Sequence, residues 1–205
     1  MVAALSPIAD HLSRQRCFFA SGVTRDVQFR LAALRRLRQG IVENQAAILA
    51  AVQADLGRPA FEGYFEIGAI LELDHILRHL PQWIKPQRVP VPLNQQPGSA
   101  WIQPEPVGVV LILGPWNYPL QLMLSPLFGA IAAGNCALLK PSELAPATSQ
   151  VLAQLIAQVF DPGHVTVVEG GGGESRYSGS QTQTDQRKLR VRCYIFSLIF
   201  FPISR

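Results

Sequence analysis

Apolar residues first fall into helical register after Thr24, which stands where a cap is expected: Val27, Leu31, Leu34, Leu37 and Ile41 share one face. Gly40 is expected to interrupt this helix. Ile48, Leu49, Val52 and Leu56 then continue a stripe until Gly57 and Pro59 stop it. A third helix is predicted from Phe61 to Leu80, with Ile67, Ile70, Leu71, Leu77 and Leu80 inward and Pro81 breaking or ending it. Prolines 81, 86, 90, 92, 97, 104 and 106 mark an extended connector, and Ser99 to Gln103 reads as a short strand within it, one arm of a hairpin.

Beyond the connector the periodicity changes. Val107 to Leu113 is an unbroken apolar run that stops at Gly114-Pro115, and Cys136 to Leu139 is a second run that stops at Lys140-Pro141. Leu120 to Ala133, between them, is apolar almost all round, so its helix should be buried on several sides before Gly134-Asn135 ends it. Pro146 opens a further helix with Val151, Leu152, Leu155, Ile156, Val159 and Phe160 on its apolar face. Asp161-Pro162-Gly163 is a turn, and Val165 to Val168 a third strand. The fold class is therefore α/β: an incomplete doubly wound, Rossmann-like parallel sheet preceded by a helical N-terminal region. The expected divisions are a helical preface over 1–80, a connector and hairpin arm over 81–106, and half of a dinucleotide-binding domain over 107–170.

After Gly170 the character changes again. Four glycines, a polar stretch and basic residues lead to Y-I-F-S-L-I-F-F-P-I, with no pattern that extends the sheet. Residues 171–205 are expected to be a disordered tail. A phosphate loop at 170–173 fails the G-x-G-x-x-G spacing, because the sixth residue from Gly170 is Ser175. The tail also accounts for the charge. It carries six Lys/Arg against two acids, which equals the whole net charge of +4, so residues 1–170 are neutral and nucleic acid is not an expected partner. Arg30, Arg35, Arg36 and Arg38 read as a solvated basic face. Cys17, Cys136 and Cys193 are scattered and odd in number, which argues against a disulfide framework and for a reducing, cytoplasmic setting. There is neither an N-terminal signal pattern nor a run long enough to span a membrane. His75 and His79 have the spacing of a two-histidine metal face, but Ile76 stands where a zinc hydrolase needs Glu, so no metal is expected.

The candidate chemistry lies just past the two main strands, where open α/β sheets form ligand crevices. Asn117 sits in a turn bracketed by Pro115 and Pro119, where its amide suits a developing oxyanion or simply makes the turn. Lys140 and Glu143 flank the next turn, as a donor and acceptor for ribose hydroxyls or as a surface ion pair.

P-V-G-V-V-L-I-L-G-P-W-N-Y-P, then P-L-F-G-A-I-A-A-G-N and L-L-K-P-S-E-L-A-P-A-T, together resemble the aldehyde dehydrogenase superfamily, closest to its branch acting on fatty and aromatic aldehydes. The resemblance covers about residues 15–170, including D-L-G-R-P at 55–59. It implies NAD(P)-dependent oxidation of an aldehyde to a carboxylic acid through a cysteine nucleophile and a glutamate base. By motif, Asn117 matches the oxyanion donor, Pro115 and Trp116 line the cofactor channel, and Lys140 and Glu143 hold the adenosine ribose. Glu143 tilts the cofactor towards NAD over NADP. The partners implied are a small aldehyde and, for the parent enzyme, further copies of itself.

The sequence departs from the family in lacking the later glycine turn, the base segment and the nucleophile segment. Cys136 reads as core, Cys193 and Cys17 lack the nucleophile's surroundings, and Glu169 follows the wrong strand to be the base. The break at 170/171 suggests a truncation or reading-frame change in a longer parent, so the chain is expected to be inactive alone. Two rival readings are a non-catalytic interaction module or dominant-negative subunit, and an acyl-phosphate or semialdehyde reductase fragment.

Overall fold

The structure, a computed structural model, describes residues 7–170 and the backbone of Cys193–Tyr194. Five helices come first: α1 (Pro7–Ala20), α2 (Val27–Glu43), α3 (Gln45–Leu56), α4 (Ala60–Ile67) and α5 (Ala69–Trp83). Strands β1 (Gln87–Val89) and β2 (Ala100–Ile102) then pair antiparallel as the expected hairpin. The α/β unit follows as β3 (Val109–Leu113), α6 (Gln121–Ala132), β4 (Cys136–Lys140), α7 (Pro146–Val159) and β5 (Val165–Val167). The two-residue β6 (Cys193–Tyr194) completes a parallel sheet in the order β5-β4-β3-β6.

The β-α-β-α-β reading holds, and α6 is as enclosed as its composition implies. Met123, Leu124, Leu127, Phe128 and Ile131 are all fully buried between the sheet and helices α2 and α5. Each such side chain contributes about 1.5–3 kcal/mol of burial. The turn from α6 to β4 is closed by Asn135, whose Oδ1 accepts the N–H groups of Val107 (2.7 Å) and Gly108 (3.0 Å) just before β3. Asp55, at the end of α3, reaches across to cap α7. Its two oxygens accept the N–H groups of Ala147 (3.0 Å) and Thr148 (2.7 Å).

Several local expectations are corrected, each for a packing reason. Helix α1 has no counterpart in the sequence pattern, because the centre of its inner stripe is polar. There Gln15 is fully buried and its Nε2 donates to Ala137 O at 2.6 Å, tying α1 to β4. Thr24 does not cap α2 but lies buried in a 3-10 turn (Val23–Arg25); the cap is Asp26, whose Oδ1 accepts Gln28 N–H at 3.0 Å. Gly40 does not interrupt α2. It marks a close crossing, where an added Cβ would come within 2.9 Å of Leu155 and Val159 on α7.

The predicted helix over Phe61 to Leu80 is two helices, parted at Gly68, and the break shifts the stripe. Ala69, Leu73, Ile76 and Leu80 face inward, while Leu71, expected inside, is 75% exposed. Pro81 sits within the last turn of α5, which runs on to Trp83. The basic face of α2 is not wholly solvated either. Arg30 is buried and donates to the carbonyls of Thr24 (2.6 Å), Arg25 (3.0 Å) and Ala132 (3.2 Å). Arg38 forms a two-pronged pair with Asp74 on α5, at 2.6 and 3.2 Å. Finally, β6 pairs with β3 at Leu111↔Cys193 and Ile112↔Tyr194, where the sequence pattern predicts no strand extending the sheet. The remaining residues of the tail, and the disorder expected of it, lie outside the described residues.

Candidate functional site

Strands β3 and β4 run side by side in register, with Leu113 opposite Lys140, so both chains leave the sheet at the same edge. Gly114 N–H donates to Lys140 O at 3.1 Å, which carries the pairing one residue past the strand. A side chain at Gly114 would run into Met123 Sδ of α6. Glycine is needed here because α6 folds back tightly over the end of its own strand. From this fixed point Pro115, Trp116, Asn117 and Tyr118 swing outward before the chain turns back inward at the buried Pro119 and Leu120. Trp116 is 54% exposed, Asn117 is exposed, and Pro115 is half-buried. Asn117 is thus exposed just past the carboxyl end of β3.

Lys140 belongs to the interior. It is 7% exposed, and its Nζ donates to Pro141 O (3.0 Å) and Gly170 O (2.6 Å). Glu143 Oε2 stands 3.7 Å from that ammonium, on a half-exposed side chain. The ion pair with Glu143 does form; its carboxylate end is half-exposed and only its other end, Lys140, is buried. Two of its three N–H groups hold backbone carbonyls, one of them at the end of the β5 segment. The third is left for Glu143 or a hydroxyl beside it. A buried ammonium thus stands next to an accessible carboxylate, a donor beside an acceptor.

Two residues that the sequence pattern does not single out touch the turn. Arg58 Nη2 donates to Asn117 O at 2.8 Å, and its guanidinium lies 4.4 Å from the centroid of the Tyr118 ring. Glu66, fully buried, accepts the N–H groups of Leu120 (3.2 Å) and Gln121 (2.8 Å) through Oε2. Arg58 stands in the D-L-G-R-P segment, which was the available signal; Glu66 left none, since it sits between Phe65 and Ile67.

The remaining candidates stand apart from the turn or are chemically quiet. Cys136 is buried in β4, and desolvation pushes its thiol up to about 12, far from a thiolate at neutral pH. Cys17 is exposed on α1, remote in sequence from the turn. Glu169 is exposed just after β5. The His75 and His79 rings lie tilted to each other on α5, with centroids 4.2 Å apart, and both lie against Trp83. Among the described residues, no group of three or more His, Cys, Asp or Glu gathers as a metal would require. Of the glycine run only Gly170 is described, so a phosphate loop at 170–173 falls outside the described residues. No helix among the described residues is long and apolar enough to cross a membrane.

Known proteins match both the order and the shape of these elements. The chain is 44% identical over 175 residues to the bovine (Bos taurus) aldehyde dehydrogenase family 3 member B1, covering 83% of this chain and 37% of that protein. It is 42% identical over 163 residues to the 4,4'-diaponeurosporen-aldehyde dehydrogenase of Staphylococcus aureus, covering 78% and 36%. A solved substrate-bound AldH of Staphylococcus aureus superposes with a TM-score of 0.83 at 38% identity, over 85% of this chain and 38% of that one. The chain therefore spans less than two fifths of the length of these relatives. A succinic semialdehyde dehydrogenase of Streptococcus pyogenes, solved with NADP+, shares the fold at 18% identity and a TM-score of 0.74, over 83% of this chain and 37% of that one. The model of the aldehyde dehydrogenase family matches residues 21–179, through the paired strands and the turn that carries Asn117. On that span and these likenesses, the chain belongs to the aldehyde dehydrogenase family.

Proposed function

We propose that this chain forms one wall of an NAD(P)-dependent aldehyde dehydrogenase site, in which an aldehyde is oxidised to a carboxylic acid. The observation that carries the reading is the in-register pairing of Leu113 with Lys140. It sets the Asn117 turn and the Lys140–Glu143 pair at one sheet edge. The nicotinamide nucleotide, when bound, accepts the hydride. The residues present do the rest of the work assigned to this wall. Asn117 donates its side-chain N–H to the carbonyl oxygen as negative charge develops there; a single such donor is worth about 2.7–4 kcal/mol in comparable sites. Pro115 and Trp116 line the approach of the cofactor. Lys140 donates to one ribose hydroxyl, and Glu143 accepts from another. A carboxylate at Glu143 opposes a 2′-phosphate, which favours NAD over NADP.

The setting proposed is a reducing, cytoplasmic one, and the working assembly is of more than one copy. The division into a preface over 1–80, a connector over 81–106, a half cofactor domain over 107–170 and a tail over 171–205 belongs to the same reading.

A titration tests the ribose assignment without needing turnover. The 205-residue chain should bind 5′-AMP weakly. Glu143→Gln should narrow the preference for 5′-AMP over 2′,5′-ADP, and Lys140→Met should abolish binding. Equal affinity for both nucleotides in the unaltered chain, insensitive to either substitution, would sink the assignment. The same chain with NAD+ and a medium-chain aldehyde should release no NADH above a no-enzyme control, since its sequence holds neither the nucleophile nor the base motif.

A further inference from the structure

We propose that Arg58 and Glu66 form a two-residue brace that sets the main-chain path of the Asn117 turn, and with it the aim of the side-chain amide. This inference rests on the oxyanion role proposed for Asn117 and extends it to two residues that act through the turn.

The turn has little hydrogen bonding of its own. Pro115 and Pro119 carry no N–H, and Leu120, at the start of α6, offers no side-chain cap to the helix. Among the described residues its hydrogen-bonded tie to the sheet is at its beginning, through Gly114. Leu122 N–H of α6 donates to Tyr118 O at 3.1 Å, and further fastenings come from the α3–α4 corner. Gly57, at φ +64, ends α3 in the left-handed conformation and turns the chain so that Arg58 and Pro59 lead into α4. Arg58 then grips two successive residues, the carbonyl of Asn117 and the ring of Tyr118. Glu66, two turns along, takes the N–H groups of Leu120 and Gln121. The turn is thus clamped on both sides of Tyr118-Pro119.

The two braces also hold each other. Glu66 Oε1 is buried with no hydrogen-bond partner, and Arg58 Nη1 lies 3.6 Å from it. The other charged group against Arg58 is Glu62, whose carboxylate is 4.0 Å from Nε and half-exposed. Burial raises the Glu66 carboxyl above its usual range, while the Gln121 and Leu120 amides and the Arg58 charge oppose that rise. A helix start alone does not call for this arrangement. Ser or Asp at position 120 would cap α6 locally, without desolvating a carboxylate. What a carboxylate on α4 adds is a fixed relation between the turn and the α3–α4 corner. Arginine suits the partner position because its planar fork can serve Asn117, Glu66 and Tyr118 at once, whereas lysine offers a single point.

The test uses the 15N-labelled 205-residue chain and two variants, Glu66→Gln, which keeps the shape of the side chain, and Arg58→Ala. Four signals are followed by NMR: the Leu120 and Gln121 amides, the Trp116 indole N–H and the Asn117 side-chain amide. In the unaltered chain all four should shift with one common midpoint as Glu66 titrates, and Glu66→Gln should remove that titration. Arg58→Ala should displace the Asn117 and Trp116 signals and speed exchange of the Leu120 and Gln121 amides about tenfold, while the β3 and β4 amides keep theirs. Arg58→Lys should restore part of the protection but not the Asn117 position. The brace is refuted if the Trp116 and Asn117 signals keep their places in Arg58→Ala and ignore the Glu66 titration. Should Glu66→Gln fail to fold, Arg58→Ala decides the matter, since that side chain reaches the surface. Because neither nucleotide nor aldehyde enters this experiment, failure of the nucleotide titration counts against the proposed function alone, and an unmoved turn counts against the brace alone.

Discussion

His164 offers the sharpest test of how the preface is joined to the sheet. It is 2% exposed and its ring lies among three phenylalanines: Phe18 of α1 stacked at 5.5 Å, Phe29 of α2 at 5.2 Å, and Phe160 edge-on at 5.4 Å. Burial, with the Arg36 charge adding to it, lowers the imidazole from 6.5 to about 4, while a hydrogen bond involving the Asn135 backbone and the Asp161 charge pull the other way. The folded state therefore holds this histidine neutral, and the unfolded chain takes up the proton first. Above pH 6.5 there is no penalty. Between 6.5 and about 4 the unfolded state binds more protons, so stability falls as the pH drops. A tenfold difference in proton affinity between the two states is worth about 1.4 kcal/mol, which makes the full loss about 3 kcal/mol; roughly 2 kcal/mol of it is gone by pH ~5. Glu66, whose carboxyl is raised by burial, acts with the opposite sign, because its folded form gains a proton more readily as the pH falls. Urea denaturation of the native chain and of His164→Phe, at several pH values from ~7.5 to ~5, separates the two effects, since Glu66 is common to both chains. The native chain should lose about 2 kcal/mol more than the variant over this range. Parallel pH profiles would refute the buried, neutral assignment of His164.

Other consequences follow from single contacts. Asp55→Ala should cost about 1–2 kcal/mol, because α7 loses the acceptor for both its Ala147 and Thr148 amides; hydrogen exchange should quicken at those two amides before the rest of the helix. Cys136, buried and with its thiol pushed up to about 12, should resist alkylation in the folded chain while exposed Cys17 reacts readily. Peptide mass mapping before and after urea checks this, and equal native rates would contradict the burial. Gly134→Ala should destabilise by about 1–3 kcal/mol, since Gly134 holds φ +89 and a Cβ would come 2.7 Å from the Arg30 guanidinium; a smaller change in urea midpoint would mean that Arg30 yields.

The parts of this fold that could be read directly from the chain are those in which neighbours in sequence share one environment. Val109–Leu113 and Cys136–Lys140 are buried along almost their whole length, so an unbroken apolar run is the expected signature of each. Their ends are marked by Gly114-Pro115 and Lys140-Pro141, and this is why the Asn117 turn and the Lys140–Glu143 pair stand out without any geometry. What stays hidden is the set of buried polar residues whose partners are distant. Gln15 finds Ala137 across 122 residues, and Glu66 finds Leu120 across 54. Periodicity assigns such residues to the surface, because it weighs a side chain by its own polarity and not by the backbone groups it will meet.

Helix stripes fail for a related reason. Gly40 and Gly68 look alike as helix breakers, yet one is the contact point of a helix crossing and the other a true break. Only the presence of Leu155 and Val159 on a distant helix tells them apart. The candidate site combines both kinds of information. Asn117 stands in a turn that local chemistry makes conspicuous, while the path proposed for that turn depends on Arg58 and Glu66, which local chemistry does not single out. Substitutions that spare Asn117, Lys140 and Glu143 can therefore disturb the turn as much as substitutions within it, and the α3–α4 corner is where they should do so.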